Sequence, residues 1–262
     1  MRNRIQQAMI RCAVQKEKAL ACFLTAGYPT PESLFSLMGA IKNGGADIIE
    51  LGMPFSDPLA DGPVIQYSSH IALQQGVTLN WILSQVRLIR RSSEIPIVLM
   101  GYLNPILAYG EAKFFTAASR AGVDGIILPE LSLEESDRYA DHIKGNNLVN
   151  ILLVTPTTLP ARISLIDKRS SGFLYCVSTT GVTGSRKNRI DTRYISAVKS
   201  SAKKNPVLVG FGIRSAKDAR RAASTTDGVI IGSVLIEMIR KGKSLRAVES
   251  FVRGIKTGMQ GH

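Results

Sequence analysis

Nowhere in these 262 residues does an apolar run approach the ~18 residues that a membrane-spanning helix needs. No membrane role is expected. Cysteine is scarce. Cys12, Cys22 and Cys176 are odd in number and lack the paired spacing of a disulfide scaffold or a zinc site. They suit small core residues in a reducing cytoplasm. Histidine is equally rare, and His70, His142 and His262 are scattered away from the ends of apolar runs. Neither a metal site nor a Ser/His/Asp constellation is expected. The N-terminus has no continuous apolar segment of the signal-peptide kind, while Glu17 and the lack of serine before it argue against a transit peptide. Acidic residues are outnumbered, leaving a net charge of +13. Yet the lysines and arginines spread along helical patterns (Arg87, Arg90, Arg91; Lys199, Lys203, Lys204; Arg220, Arg221) without interleaved aromatics. Solvated helix faces explain them better than a nucleic-acid partner. A positive field would also steer a doubly charged phosphate substrate.

What is abundant is short apolar, β-rich runs: 19–24, 47–51, 95–100, 125–128, 148–154, 173–177, 207–209 and 228–231. Continuous apolar strands mark a parallel sheet buried on both faces. Amphipathic segments alternate with them at 33–41, 79–90, 112–121, 133–143, 160–169, 193–200, 216–223 and 245–256. Eight β–α units without a linker predict one α/β domain over 1–262, a (β/α)8 TIM barrel. Apolar residues at helical spacing (Ile5, Ala8, Met9, Cys12, Ala13) add an extra N-terminal helix. Asn43-Gly-Gly45, Gly122 and Gly145 are expected to end helices at the face opposite the chemistry.

In such a barrel the chemistry sits beyond the C-terminal ends of the strands. There the second apolar run ends in Glu50, and a Pro- and Gly-rich loop presents Asp57 and Asp61. A carboxylate at the tip of a buried strand is costly unless paired or used. No basic residue occurs between Lys42 and Arg87, which favours use over a local ion pair. Burial raises the pKa of such a group and poises it for proton exchange near neutrality. Asp57 and Asp61 are also ordinary turn residues, and charge and spacing alone do not rank one above the other. Gly210-Phe-Gly212 after the seventh run and Gly232-Ser233 after the eighth expose backbone N–H groups where barrels commonly hold phosphate. Gly181 and Gly184 add a third approach. The polar stretch 178–189, with Arg186, Lys187 and Arg189, suits a lid or a solvated charge run. Phe23, Tyr102, Tyr175 and Phe211 lie near strand ends, as an aromatic ligand pocket or as packing.

Several longer motifs follow one another along the chain. They are Phe23-Leu-Thr-Ala-Gly-Tyr-Pro-Thr, Asp47-Ile-Ile-Glu-Leu-Gly-Met-Pro-Phe-Ser-Asp-Pro-Leu-Ala-Asp-Gly-Pro, Met100-Gly-Tyr-Leu-Asn-Pro and Ala121-Gly-Val-Asp-Gly. Further along come Gly181-Val-Thr-Gly, Val209-Gly-Phe-Gly-Ile-Arg-Ser and Asp227-Gly-Val-Ile-Ile-Gly-Ser. In this order the motifs resemble the tryptophan synthase alpha subunit family, and the resemblance implies a lyase of tryptophan biosynthesis that cleaves indole-3-glycerol phosphate by a retro-aldol step. It assigns Glu50 as the mobile acid/base and Asp61, rather than Asp57, as acceptor of the indole N–H. It places Phe23, Tyr102, Tyr175, Thr183, Gly184, Phe211, Gly212, Gly232 and Ser233 around the substrate. A beta subunit carrying pyridoxal phosphate is the implied partner, in a cytoplasmic α2β2 complex, with no cofactor in this chain. The loops 53–61 and 179–189 would sense that partner.

Two stretches depart from the family pattern. Pro129-Glu130-Leu131-Ser132 stands for Pro-Asp-Leu-Pro, and Thr155-Pro-Thr-Thr158 for Ala-Pro-Thr-Thr. The longer Glu130 would move hydrogen bonds that shape the top of the barrel, including those near Asp61. Two rival readings are a sugar-phosphate epimerase or isomerase of like architecture, and an alpha subunit kept to activate its beta partner.

Overall fold

The computed structural model describes residues 3–178, 191–210 and 212–260. Its nine strand segments are β1 (Ala19–Thr25), β2 (Ile48–Gly52), β3 (Ile97–Met100), β4 (Gly125–Ile127), β5 (Val149–Asn150), β6 (Leu153–Val154), β7 (Leu174–Val177), β8 (Val207–Gly210) and β9 (Gly228–Ile231). All pairings are parallel, in the order β5-β4-β3-β2-β1-β9-β8-β7-β6. β5 and β6 are two ends of the single run 148–154 foreseen from sequence. The first end pairs with β4 and the second with β7. Between them the Ile151 N–H donates to the Ile126 carbonyl at 3.1 Å, and the Tyr175 N–H donates to the Leu152 carbonyl at 3.0 Å. The sheet therefore closes as a barrel of eight strand positions, as expected.

The strands are apolar throughout because both faces are buried. One set of side chains (Ala19, Ala21, Ile48, Val98, Ile127, Phe173, Leu208, Ile230) fills the barrel interior, and the other packs outward beneath the helices. Helices Ser33–Asn43, Leu79–Ile89, Glu111–Ala121, Pro160–Arg169, Thr192–Ser201, Ala216–Ala223 and Leu245–Met259 fall where periodicity placed them. The predicted segment 133–143 is instead two short helices, Leu133–Asp137 and Ala140–Gly145, meeting at Arg138 and Tyr139. Three helices were not foreseen: Leu103–Tyr109 and Ser233–Arg240, which start within three residues of a strand end, and Pro63–Gln74, which follows the loop after β2. Gly122 ends its helix in the left-handed region as expected, but Gly145 is itself helical and Asn147 takes the positive φ there.

The extra helix, Arg4–Val14, is capped by Asn3 in a reciprocal box with Gln6 and buries Ile5, Ala8, Met9 and Cys12. Ile5, Met9 and Cys12 pack on the interior set and stopper the N-terminal end of the barrel. At that end each carboxylate preceding a strand is structural. Asp47 accepts the Leu20 N–H at 2.9 Å and pairs with Arg11 and Lys256; Asp124 accepts the Ile97 N–H at 2.8 Å and pairs with Arg4 and Arg90. Asp227 accepts the Val207 N–H at 2.7 Å and pairs with Lys199. Five basic residues, Arg4, Arg11, Arg90, Lys199 and Lys256, are thus paired at the floor of the barrel. No helix of the described residues is long and apolar enough to cross a membrane.

Candidate active site

At the opposite end the carboxylates behave differently. Glu50 sits in β2 in register with Phe23 of β1 and Val98 of β3, and is wholly buried. Neither of its oxygens has a hydrogen-bond partner among the described residues. Desolvation pushes its pKa up to about 8, because the ionised form has lost its water without gaining a donor. A carboxyl of this kind holds a proton at neutral pH and can give it up to a reacting group.

Asp61 lies across the cavity on the loop between β2 and the helix Pro63–Gln74. Its N–H donates to the Pro58 carbonyl at 3.0 Å, and its own carbonyl accepts from Gln66 Nε2 at 2.9 Å, which fixes the loop against the new helix. The Tyr102 hydroxyl donates to Asp61 Oδ2 at 3.0 Å while accepting the Ala60 N–H at 3.0 Å. Burial raises the Asp61 pKa to about 6, and the Tyr102 bond restrains the rise by favouring the anion. Asp57 is exposed on the same loop, so the structure separates two residues that charge and spacing alone left equal. The two carboxyls are thus raised to different degrees, Glu50 further than Asp61, the kind of separation an acid/base pair uses.

Both carboxylates open into one cavity of about 470 Å³, counting its open mouth. Phe23, Tyr175, Gly212, Gly232 and Ser233, all foreseen, line it with them. Ile65, Met100, Ile213 and Ile230 complete an apolar wall that sequence reasoning missed, since apolar residues near strand ends look no different from core. Tyr102 is not among the lining residues and reaches the cavity through its bond to Asp61. Thr183, Gly184 and Phe211, with the stretch 179–190, lie outside the described residues.

Glycine is required where the aromatic walls close in. A Cβ on Gly210 would fall 2.3 Å from the Tyr175 hydroxyl oxygen, and one on Gly52 would fall 2.5 Å from Phe23 Cζ. Gly212 adopts φ +76°, which side chains resist. Gly232 precedes the helix Ser233–Arg240, whose first turn receives no side-chain cap. Its N-terminus therefore offers backbone N–H groups and the positive end of the helix dipole at the edge of the cavity. The arrangement suits a ligand with a flat apolar body between the carboxylates and an anionic group beside Gly212, Gly232 and Ser233. Among the described residues no group of His, Cys, Asp or Glu is placed to hold a metal ion.

The comparisons with known proteins agree on one family. The family model for the tryptophan synthase alpha chain matches residues 9–259. A tryptophan synthase alpha chain from Cupriavidus taiwanensis is 44% identical, covering 98% of this chain and 99% of its own length. One from Pelobacter propionicus is 41% identical over 99% of this chain and 98% of its own. Among solved structures, tryptophan synthase subunit alpha from Legionella pneumophila superposes with a TM-score of 0.89 at 35% identity, covering 99% of both chains. A chain of Mycobacterium tuberculosis tryptophan synthase superposes with a TM-score of 0.91 at 32% identity over the full length of both.

Proposed function

Since the chain belongs to the tryptophan synthase alpha chain family, we propose that Glu50 and Asp61 perform the cleavage of indole-3-glycerol phosphate for which that family is built. Family membership makes the chain a lyase of tryptophan biosynthesis, releasing indole and glyceraldehyde 3-phosphate, with a beta subunit as partner. The observation that carries the residue assignment is the split between the two carboxyls, one raised to about 8 without a hydrogen-bond partner among the described residues and one near 6 bonded to Tyr102.

Glu50 begins protonated and delivers its proton to indole C3, moving positive charge onto the ring nitrogen. Asp61, ionised, accepts the ring N–H and stabilises that charge. The C–C bond to the glycerol chain then breaks, and its electron pair restores the aromatic indole. The hydroxyl on the departing carbon loses its proton and becomes the aldehyde carbonyl. Glu50, now a carboxylate in a dry pocket, takes up that proton and returns to its starting state. Desolvation favours this recovery because the neutral acid is the comfortable form at that position. Phe23, Tyr175 and the apolar wall hold the indole, while Gly212, Gly232 and Ser233 anchor the phosphate. Remote phosphate binding thereby positions the reacting end. Thr183, Gly184 and Phe211 are assigned to substrate binding on the family resemblance alone.

The chain works as one barrel domain, 1–262, without a cofactor of its own. It acts in the cytoplasm within an α2β2 complex whose beta subunit carries pyridoxal phosphate, with 53–61 and 179–189 as the partner-sensing segments. The test is indole release from indole-3-glycerol phosphate by the purified chain with and without a tryptophan synthase beta subunit. Glu50→Gln and Asp61→Asn should each lower it by ~10² to 10⁴-fold. A beta subunit still activated by the chain, without any indole released by the unaltered chain, would point instead to a purely regulatory subunit.

A further inference from the structure

We propose that Glu130 is a positioning residue for Asp61, holding the loop after β3 so that Tyr102 presents its hydroxyl to the Asp61 carboxylate. The inference rests on the reading of Asp61 as the indole-binding carboxylate. Tyr102 is bracketed by two bonds to the neighbouring β4 region. On one side the Gly101 N–H donates to the Ile127 carbonyl at 3.1 Å. On the other the Leu103 N–H donates to Glu130 Oε1. The first bond is backbone to backbone. The second depends on a side chain, and it supplies an acceptor where the helix Leu103–Tyr109 has no cap from Tyr102 itself.

Tyr102 therefore has little freedom. It is buried, its ring lies 5.3 Å from that of Phe55, and its backbone is extended at φ −110° and ψ 157°. From that fixed origin its hydroxyl reaches Asp61 Oδ2 and the Ala60 N–H together. A shift of the chain at Leu103 moves the ring's origin and lengthens both bonds. The Glu130 charge also disfavours ionisation of the Tyr102 hydroxyl, as burial and Asp61 do, so the group remains a donor. Besides Tyr102, the titratable groups among the described residues that share the cavity with Asp61 are Glu50 from β2 and Tyr175 from β7.

The experiment measures indole release in the complex with a beta subunit, comparing Glu130→Ala with Glu130→Gln, which keeps the acceptor oxygen. Glu130→Ala should lower kcat about tenfold, within the range that misplacement of a catalytic group produces, and leave KM within about twofold. The acidic limb of its pH profile should move upward, because Asp61 loses the bond that favours its anion. Glu130→Gln should restore both. Leu103→Pro deletes the same bond from the donor side at a helix position that tolerates proline, and should reproduce the alanine variant. Equal changes in kcat and KM with an unmoved acidic limb, or no rescue by glutamine, would overturn the proposal. Asp61→Asn separates the two levels. An active Asp61→Asn enzyme refutes the reading of Asp61 itself, whereas a crippled Asp61→Asn beside an unaffected Glu130→Ala refutes only the role of Glu130.

Discussion

Replacing Glu50 by glutamine should make the protein progressively more stable than the parent as pH rises, while removing its activity. In the folded protein the Glu50 carboxyl holds its proton up to about pH 8, because it is buried and the described residues offer it no donor. In the unfolded chain it ionises near 4.5. Between those values the folded state binds the extra proton, so stability falls with rising pH across the window. Linkage puts the burden of Glu50 at about 1 kcal/mol at pH 5 and about 4 kcal/mol at pH 7.5. Glutamine removes that burden and leaves an unpaired amide, whose cost of about 1–3 kcal/mol does not change with pH. The difference in unfolding free energy between variant and parent should therefore shift by about 3 kcal/mol in favour of the variant over that range. Urea unfolding of both proteins at matched pH steps measures it, since the other titrating groups cancel in the difference. A gap that stays flat with pH would refute the reasoning, because it would mean Glu50 is solvated or paired in the folded state.

Tyr102→Phe should cost about tenfold in indole release at pH 6–7 and less at pH 8, since one bond to a charged group is lost and Asp61 protonates more readily; steady-state kinetics at the two pH values decide it. Gly210→Ala brings a Cβ to 2.3 Å from the Tyr175 hydroxyl, so it should destabilise the fold by about 1–3 kcal/mol by overpacking and raise KM, both read from denaturation and kinetics. Ser233→Asp suits a helix N-terminus and should preserve stability, yet its charge should raise KM at least about tenfold by repelling the phosphate. Unchanged KM would place the phosphate elsewhere.

Most of the barrel was legible because β1 to β9 are buried on both faces and leave continuous apolar runs in the chain. The helices missed, Pro63–Gln74, Leu103–Tyr109 and Ser233–Arg240, begin at Gly, Tyr-Leu-Asn-Pro or Gly-Ser signals that also mark loops. None of the three starts is marked by a capping side chain. The break at Arg138 and Tyr139 leaves no Pro or Gly to announce it. Glu50 was legible as a charge closing an apolar run. Asp61 was not separable from Asp57 by charge and spacing, since what distinguishes them is burial and a bond to Tyr102, 41 residues away. Ile65, Met100, Ile213 and Ile230 escaped for the opposite reason: a pocket wall and a core use the same side chains.

The most direct test of the central claim, that Glu50 acts as the protonated acid and Asp61 as the ionised acceptor, is the pH dependence of kcat/KM for indole release with a beta subunit present. A bell is expected, falling below about pH 6 as Asp61 takes a proton and above about pH 8 as Glu50 loses one, with Asp61→Asn abolishing the acidic limb. Activity still rising well above pH 8, or an acidic limb in the ordinary carboxylate range near pH 4, would contradict the division of roles between the two residues.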